Sequence, residues 1–183
     1  DLISQWSQER NLNPFLVVSL IRQESMFQER IKSIAKATGL MLVLPTTAEW
    51  IAPQFNVDYE STSLEDPNDN IMYGTWYLDS THKQYQDNSL LAVASYNAGP
   101  GNVSKWLKSL PIDDPDEFVE AIPFPETKNY VRQVLGNYWN YLRIYNPQTS
   151  QLVGQYLARQ FQFPQYQQEQ KPAASTEATP GSN

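Results

Sequence analysis

Asn13-Pro14-Phe15-Leu16-Val17-Val18-Ser19-Leu20-Ile21-Arg22-Gln23-Glu24-Ser25-Met26-Phe27 is the stretch on which the fold class turns. Asn followed by Pro is a helix cap followed by a first-turn proline, and the apolar residues after it recur at helical spacing. A helix is predicted from Pro14 to about Phe27. The same punctuation repeats outward along the chain. Pro45 opens a helix to about Phe55, and Asp66-Pro67 precedes a long one reaching about Tyr85. A short helix from Ser89 to Tyr96 ends at Asn97-Ala98-Gly99, and Pro100 restarts the chain toward Trp106 and Leu107. A further turn spans Phe118 to Ile122, and a last long helix runs from near Pro125 to Asn146-Pro147, where proline stops it. No alternating strand longer than a few residues interrupts this pattern, so the expected fold class is all-α.

Glu24 breaks the pattern of its own helix. Val17, Leu20, Ile21 and Phe27 share its face, so a carboxylate is placed on the apolar stripe. Burial there raises a carboxyl's pKa and keeps it protonated near neutral pH, the state a general acid needs. The competing reading is a structural glutamate that reaches the helix edge or pairs with Arg22 or Arg132. The helix alone leaves the two readings about level.

The chain has 183 residues and is rich in aromatics, with 5 Trp, 11 Tyr and 7 Phe, enough for one core plus an appendage. Packing accounts for most of these rings, but aromatic faces also stack on sugar rings in carbohydrate clefts. A net charge of −7 excludes nucleic acid and anionic membrane as partners, since both demand a basic surface. The absence of cysteine removes disulfides, zinc-thiolate sites and a cysteine nucleophile together. One histidine, His82, cannot build an imidazole metal cluster, and no Gly-x-Ser-x-Gly turn supports a serine hydrolase. Asp66-Pro67-Asn68-Asp69-Asn70 starts like a calcium loop but lacks the glycine and the closing acid, so it reads as the start of a helix. No apolar run is long enough to span a bilayer, and the chain opens on Asp1, as a piece of a longer protein would. The expected organisation is a helical domain over 1–147, a possible extra helix over 148–163 carrying Leu152, Tyr156, Leu157 and Phe161, and a disordered Gln/Pro/Ser-rich tail over 164–183.

Three separated motifs carry a resemblance. They are Glu24-Ser25 with Ser33 and Ala37-Thr38-Gly39-Leu40-Met41, ending in Pro45 and Thr47-Ala48; then Ser95-Tyr96-Asn97-Ala98-Gly99-Pro100-Gly101; then Ile122-Pro123-Phe124-Pro125-Glu126-Thr127-Lys128-Asn129-Tyr130-Val131. In this order, over about Leu2 to Tyr145, the chain resembles the soluble lytic transglycosylases, bacterial enzymes with a lysozyme-like helical catalytic domain. The resemblance implies a domain that cuts peptidoglycan glycan strands at the β-1,4 bond between N-acetylmuramic acid and N-acetylglucosamine, leaving 1,6-anhydromuramic ends. It implies no metal and no cofactor, a helical domain upstream, and a place in the periplasm or envelope of a bacterium. It matches Glu24 to the catalytic acid/base, and Ser33, Met41, Tyr96, Asn97 and Tyr130 to positions lining the cleft. Read as residues alone, Tyr96 and Tyr130 are also compatible with buried packing, Asn97 with a helix-end cap, and Met41 with core filling.

Two departures from the family pattern stand out. Leu42 replaces the family's usual glutamine after Gly-Leu-Met, exchanging a hydrogen-bonding amide for a side chain that cannot hydrogen-bond. Glu29 and Lys36 stand where the family often has Pro and Gly. Two other functions remain open to the sequence. One is a muramidase of the goose-type lysozyme kind, which delivers water to the same bond, and the other is a non-catalytic glycan-binding domain.

Overall fold

A computed structural model describes residues 1–110 and 114–160. Among these residues the chain forms nine α-helices and two short 3-10 turns, and its extended pairing is limited to isolated bridges of Thr38 with Lys32 and with Val43. In chain order the helices are α1 Leu2–Glu9, α2 Pro14–Ser25, α3 Pro45–Ile51, α4 Pro67–Gln84, α5 Ser89–Ala98, α6 Pro100–Trp106, α7 Pro115–Ala121, α8 Pro125–Tyr145 and α9 Pro147–Gln160.

Three of the starts combine a capping side chain with a first-turn proline. The Asn13 side chain accepts from the Phe15 amide, Asp66 accepts from Asn68 and Asp69, and Asp114 accepts from Asp116 and Glu117, each with proline at the next position. The apparent calcium-loop start is absorbed by this capping and its surroundings: Asn68 accepts from the Trp6 indole at 3.0 Å and Asp69 from the Ser63 amide at 2.9 Å. α1, like α5, starts without a proline, and nothing in the sequence pattern announces it. Its cap, Asp1, accepts from the amides of Ile3 and Ser4, and Trp6 and Ile3 pack against the core.

The long helices α2 and α8 lie against each other, and α5 touches both α4 and α8. Ala92, Val93, Ala94 and Ser95 on α5 are fully buried, their small side chains admitting its neighbours closely. Around them Val17, Leu20, Ile21, Tyr73, Leu78, Val131 and Val134 complete the core.

Two expectations need correction. α2 ends at Ser25 instead of Phe27, because Met26 and Phe27 take left-handed backbone angles of φ 51° and 63°. Phe27 is therefore about half exposed and does not share the buried face. The buried Ser25 hydroxyl donates back to the Ile21 carbonyl and accepts from the Phe27 amide, which holds this turn. Beyond Asn146 the chain does form a helix, α9, but Leu152, expected to pack, is 67% exposed. The tail over 164–183 lies outside the described residues.

Candidate active site

The turn after Ser25 sends the chain into an irregular segment that would be floppy without anchors, and Asn70 on α4 supplies them. Its fully buried amide donates to the carbonyls of Thr38 at 2.7 Å and Leu64 at 2.9 Å, and its oxygen accepts from the Met41 amide at 2.8 Å. Every strong hydrogen-bonding position of that side chain except one lone pair is used. Gly39 permits this contact. It sits at φ 83°, and a Cβ there would stand 2.2 Å from the Asn70 Nδ2 atom. The loop is pinned a second time from α5, where the Tyr96 hydroxyl donates to the Met41 carbonyl at 2.9 Å.

Glu24 emerges from the last turn of α2 beside α8, partly buried. The buried Tyr130 hydroxyl on α8 donates to Glu24 Oε1 at 2.5 Å. Loss of water pushes the carboxyl up to about 7. The Tyr130 hydrogen bond opposes that rise by favouring the anion, and the negative charge of Glu126 reinforces it. Arg22 donates to the Tyr141 hydroxyl at 3.1 Å and Arg132 pairs with Glu120, so the ion-pair reading of Glu24 fails. Glu24 also pushes the phenols of Tyr96 and Tyr130 up, second to their own burial, so both stay protonated donors at neutral pH.

The residues matched by resemblance divide into two groups. Tyr130 donates to Glu24, while Tyr96 feels the charge of Glu24 and gives its hydroxyl proton to the Met41 carbonyl. Asn97, the next residue on α5, accepts from the Thr127 hydroxyl at 2.6 Å and reaches Glu126 at 3.5 Å. It thereby ties α5 to the first turn of α8. Ser33 and Met41 behave differently. The Ser33 hydroxyl accepts from the Ala37 amide at 3.1 Å, so its recorded hydrogen bonds close its own turn. Met41, expected to line the cleft, is a core residue. Its side chain is fully buried against Gly74, where an added Cβ would meet the sulfur at 2.4 Å. Only its backbone serves the site, with the amide on Asn70 and the carbonyl on Tyr96.

Asn97 and Ala98 line two open pockets in common. One, of about 280 Å³, is walled by Leu42, Leu44, Thr47, Tyr77 and Tyr96, and the other, of about 370 Å³, by Phe124, Glu126 and Thr127. Tyr77 and Tyr96 meet edge to face at 5.3 Å on the wall of the first. A larger cavity of about 510 Å³, lined by Arg10, Asp79, His82 and Tyr138 among others, shares none of these residues. Two contributors escape sequence reading. Asn70 looks like one more polar residue at a helix start, and Glu126 looks like a carboxylate suited to a helix N-terminus. The signal for Glu126 was its place in the third motif, two residues after Phe124. Leu42 does face the first pocket, at a left-handed φ of 44°.

Comparison with known proteins is consistent with this geometry. The model of the transglycosylase SLT domain family matches residues 1–118. The soluble lytic murein transglycosylase of Salmonella typhimurium is 38% identical over 138 residues, 74% of this chain and 21% of that protein. A putative soluble lytic murein transglycosylase of Haemophilus influenzae is 35% identical over 153 residues, 81% of this chain and 25% of that one. The 70 kDa soluble lytic transglycosylase of Escherichia coli superimposes with a TM-score of 0.75 at 34% identity, covering 82% of this chain and 25% of its own. The lytic transglycosylase Slt of Pseudomonas aeruginosa, solved as an inactive glutamate-to-glutamine mutant, gives 0.74 at 37% identity, covering 79% and 24%. This chain thus spans about a quarter or less of the length of these relatives. Helical architecture, motif order and matched sequence agree, and the chain belongs to the transglycosylase SLT domain family.

Proposed function

We propose that this domain is a lytic transglycosylase acting on the glycan strands of peptidoglycan, with Glu24 as its single acid/base. The observation that carries the reading is a half-sunk carboxyl whose pKa is raised to about 7 and which one phenol holds in place. Such a group keeps a proton near neutrality and is aimed by Tyr130, as a general acid must be. Glu24 gives its proton to the glycosidic oxygen as the bond to the anomeric carbon breaks and positive charge develops on the sugar. The muramic N-acetyl oxygen shields that charge. The C6 hydroxyl then attacks the anomeric carbon and returns its proton to Glu24, so the sugar closes its own ring and no water is consumed. Tyr130 aims the acid as a donor, and Tyr96 braces the Met41 loop beside it. Asn97 holds the lips of the two pockets together.

Glu126 is the carboxylate nearest in influence, but it is exposed on the rim and engaged with Asn97. It is badly placed to drive water as a second catalytic group. The relatives are named for murein, which supports a bacterial cell-wall substrate. Their greater length supports a longer parent protein with further domains, for which a helical domain upstream is our reading. Among the described residues no helix is long and apolar enough to cross a membrane. We place the domain in the envelope or periplasm of a bacterium.

Mass spectrometry of products released from purified cell walls tests the reading. Fragments ending in 1,6-anhydromuramic acid are expected. Fragments heavier by one water, with a reducing end, would make the domain a muramidase, and no release at all would leave it a binding module.

A further inference from the structure

Two tryptophans stand close in sequence to residues that line the Tyr77/Tyr96 pocket. Thr47 on α3 and Tyr77 on α4 line the pocket, and each has a tryptophan beside it. Trp50 follows Thr47 by one helical turn, which puts their Cβ atoms about 5–6 Å apart on one face of α3. Trp76 directly precedes Tyr77 on α4, turned about 100° round the helix from it, and it is the contact with Trp50 that brings it to this side. The two indoles meet at 5.2 Å with their planes at 83°, an edge-to-face pair that leaves a right-angled corner. Trp50 is 58% exposed, a large apolar surface left in water, and Leu44 on the same rim is 40% exposed. Trp139, comparably exposed on α8, lines none of the pockets around Tyr96 and Asn97.

We propose that Trp50 and Trp76 form a distal sugar subsite, stacking a pyranose ring of the glycan strand as it leaves the Tyr77/Tyr96 pocket. The inference rests on the glycan-cleaving reading above and extends it outward along the same substrate. Continuity decides the occupant. A polymer lying in the pocket between Leu42 and Asn97 must leave along its rim, and that rim carries aromatic faces with no charged side chain among the residues that wall the pocket. A pyranose suits such a corner, because its axial hydrogens present an apolar face to one ring while its hydroxyls stay at the edge in water. The same corner gives a one- or two-sugar ligand nothing, since such a ligand ends inside the pocket. The role is affinity for long strands.

The test uses the full chain carrying Glu24→Gln, so that ligand is bound and not cut, and peptide-free glycan strands of increasing length as probes in calorimetry. Affinity should rise with length in this parent, and adding Trp50→Ala or Trp76→Ala should remove about five- to tenfold of that rise. Trp50→Tyr should restore part of it, because a stacking face returns, and Trp139→Ala should keep it whole. A Trp50→Ala protein of parental melting temperature that keeps the full rise overturns the proposal. So does a rise seen only with strands bearing stem peptides, which would assign the corner to peptide. Binding that is absent at every length in the parent removes the glycan reading itself, an outcome distinct from a flat length dependence.

Discussion

The Tyr130 hydroxyl donates to Glu24 across 106 residues of sequence, joining the end of α2 to the second turn of α8. The bond runs against the burial that raises the carboxyl. It favours the anion and fixes the direction of the Glu24 carboxyl. The bond therefore depends on two helices keeping their relative position, and the α2–α8 contact is where the core is built from Val17, Leu20, Ile21, Val131 and Val134.

Replacing Glu24 by Gln should abolish cleavage while preserving the fold. It should also alter stability in a pH-dependent way. The carboxyl's usual value of 4.5 rises to about 7 on folding. Below the lower value the group is protonated in both states and the wild type carries no penalty. Between the two, the native state holds the extra proton and stability falls as pH rises. Above the upper value the whole cost is present. Glu24→Gln should therefore be more stable than wild type at pH 8 by on the order of 2 kcal/mol and about equal to it at pH 4. Urea melts at the two pH values check this, and equal differences at both would contradict a buried, raised carboxyl.

Tyr130→Phe removes the one interaction that lowers the Glu24 pKa, so the alkaline limb of activity should move to higher pH. The acid also loses its aim. We expect kcat/KM at pH 6 to fall by about ten- to a hundredfold, with the limb, normally near 7, displaced upward. A pH–rate profile on glycan strands measures both. A limb moving downward would mean that the phenol serves substrate and not the acid.

Asn70→Ala leaves the Met41 amide and the Thr38 and Leu64 carbonyls without their buried partner. The expected cost is on the order of 3 kcal/mol, a fall in melting temperature of roughly ten degrees. Activity should suffer even below that temperature, because the Met41 carbonyl that holds Tyr96 is released from its anchored loop. Calorimetry with parallel kinetics tests this, and a shift of a degree or less would show that water replaces the amide.

Leu42→Gln should lower the KM for glycan strands by roughly threefold to tenfold with little change in kcat, as expected for an interaction made equally in ground and transition states. Leu42 faces the pocket but hydrogen-bonds nothing there through its side chain, and its left-handed backbone accepts glutamine no worse than leucine. Steady-state kinetics decide it. A hundredfold rise in kcat would instead identify Leu42 as damage to the chemistry.

The sequence by itself determined where most of the helices start, because proline after a capping residue and apolar spacing within one turn act locally, while α1 and the end of α2 escaped it. Asn13-Pro14, Asp66-Pro67 and Pro125 each begin a helix where their own backbone chemistry requires it. It also singled out Glu24, since a carboxylate among Val17, Leu20 and Ile21 conflicts with its own helix. What it could not decide was whether that conflict is resolved by an arginine, by water or by a phenol. That depends on which helix lies beside α2, and the choice of Tyr130 over Arg22 or Arg132 belongs to the packing of α8. The same limit explains Met41 and Asn70. A methionine in a motif looks like a cleft residue until Gly74 is seen beneath it, and an asparagine at a helix start looks like a cap until the loop it holds is folded onto it. Such long-range contacts form only when the core brings distant segments together, and they alone give the partly buried Glu24 carboxyl a fixed direction.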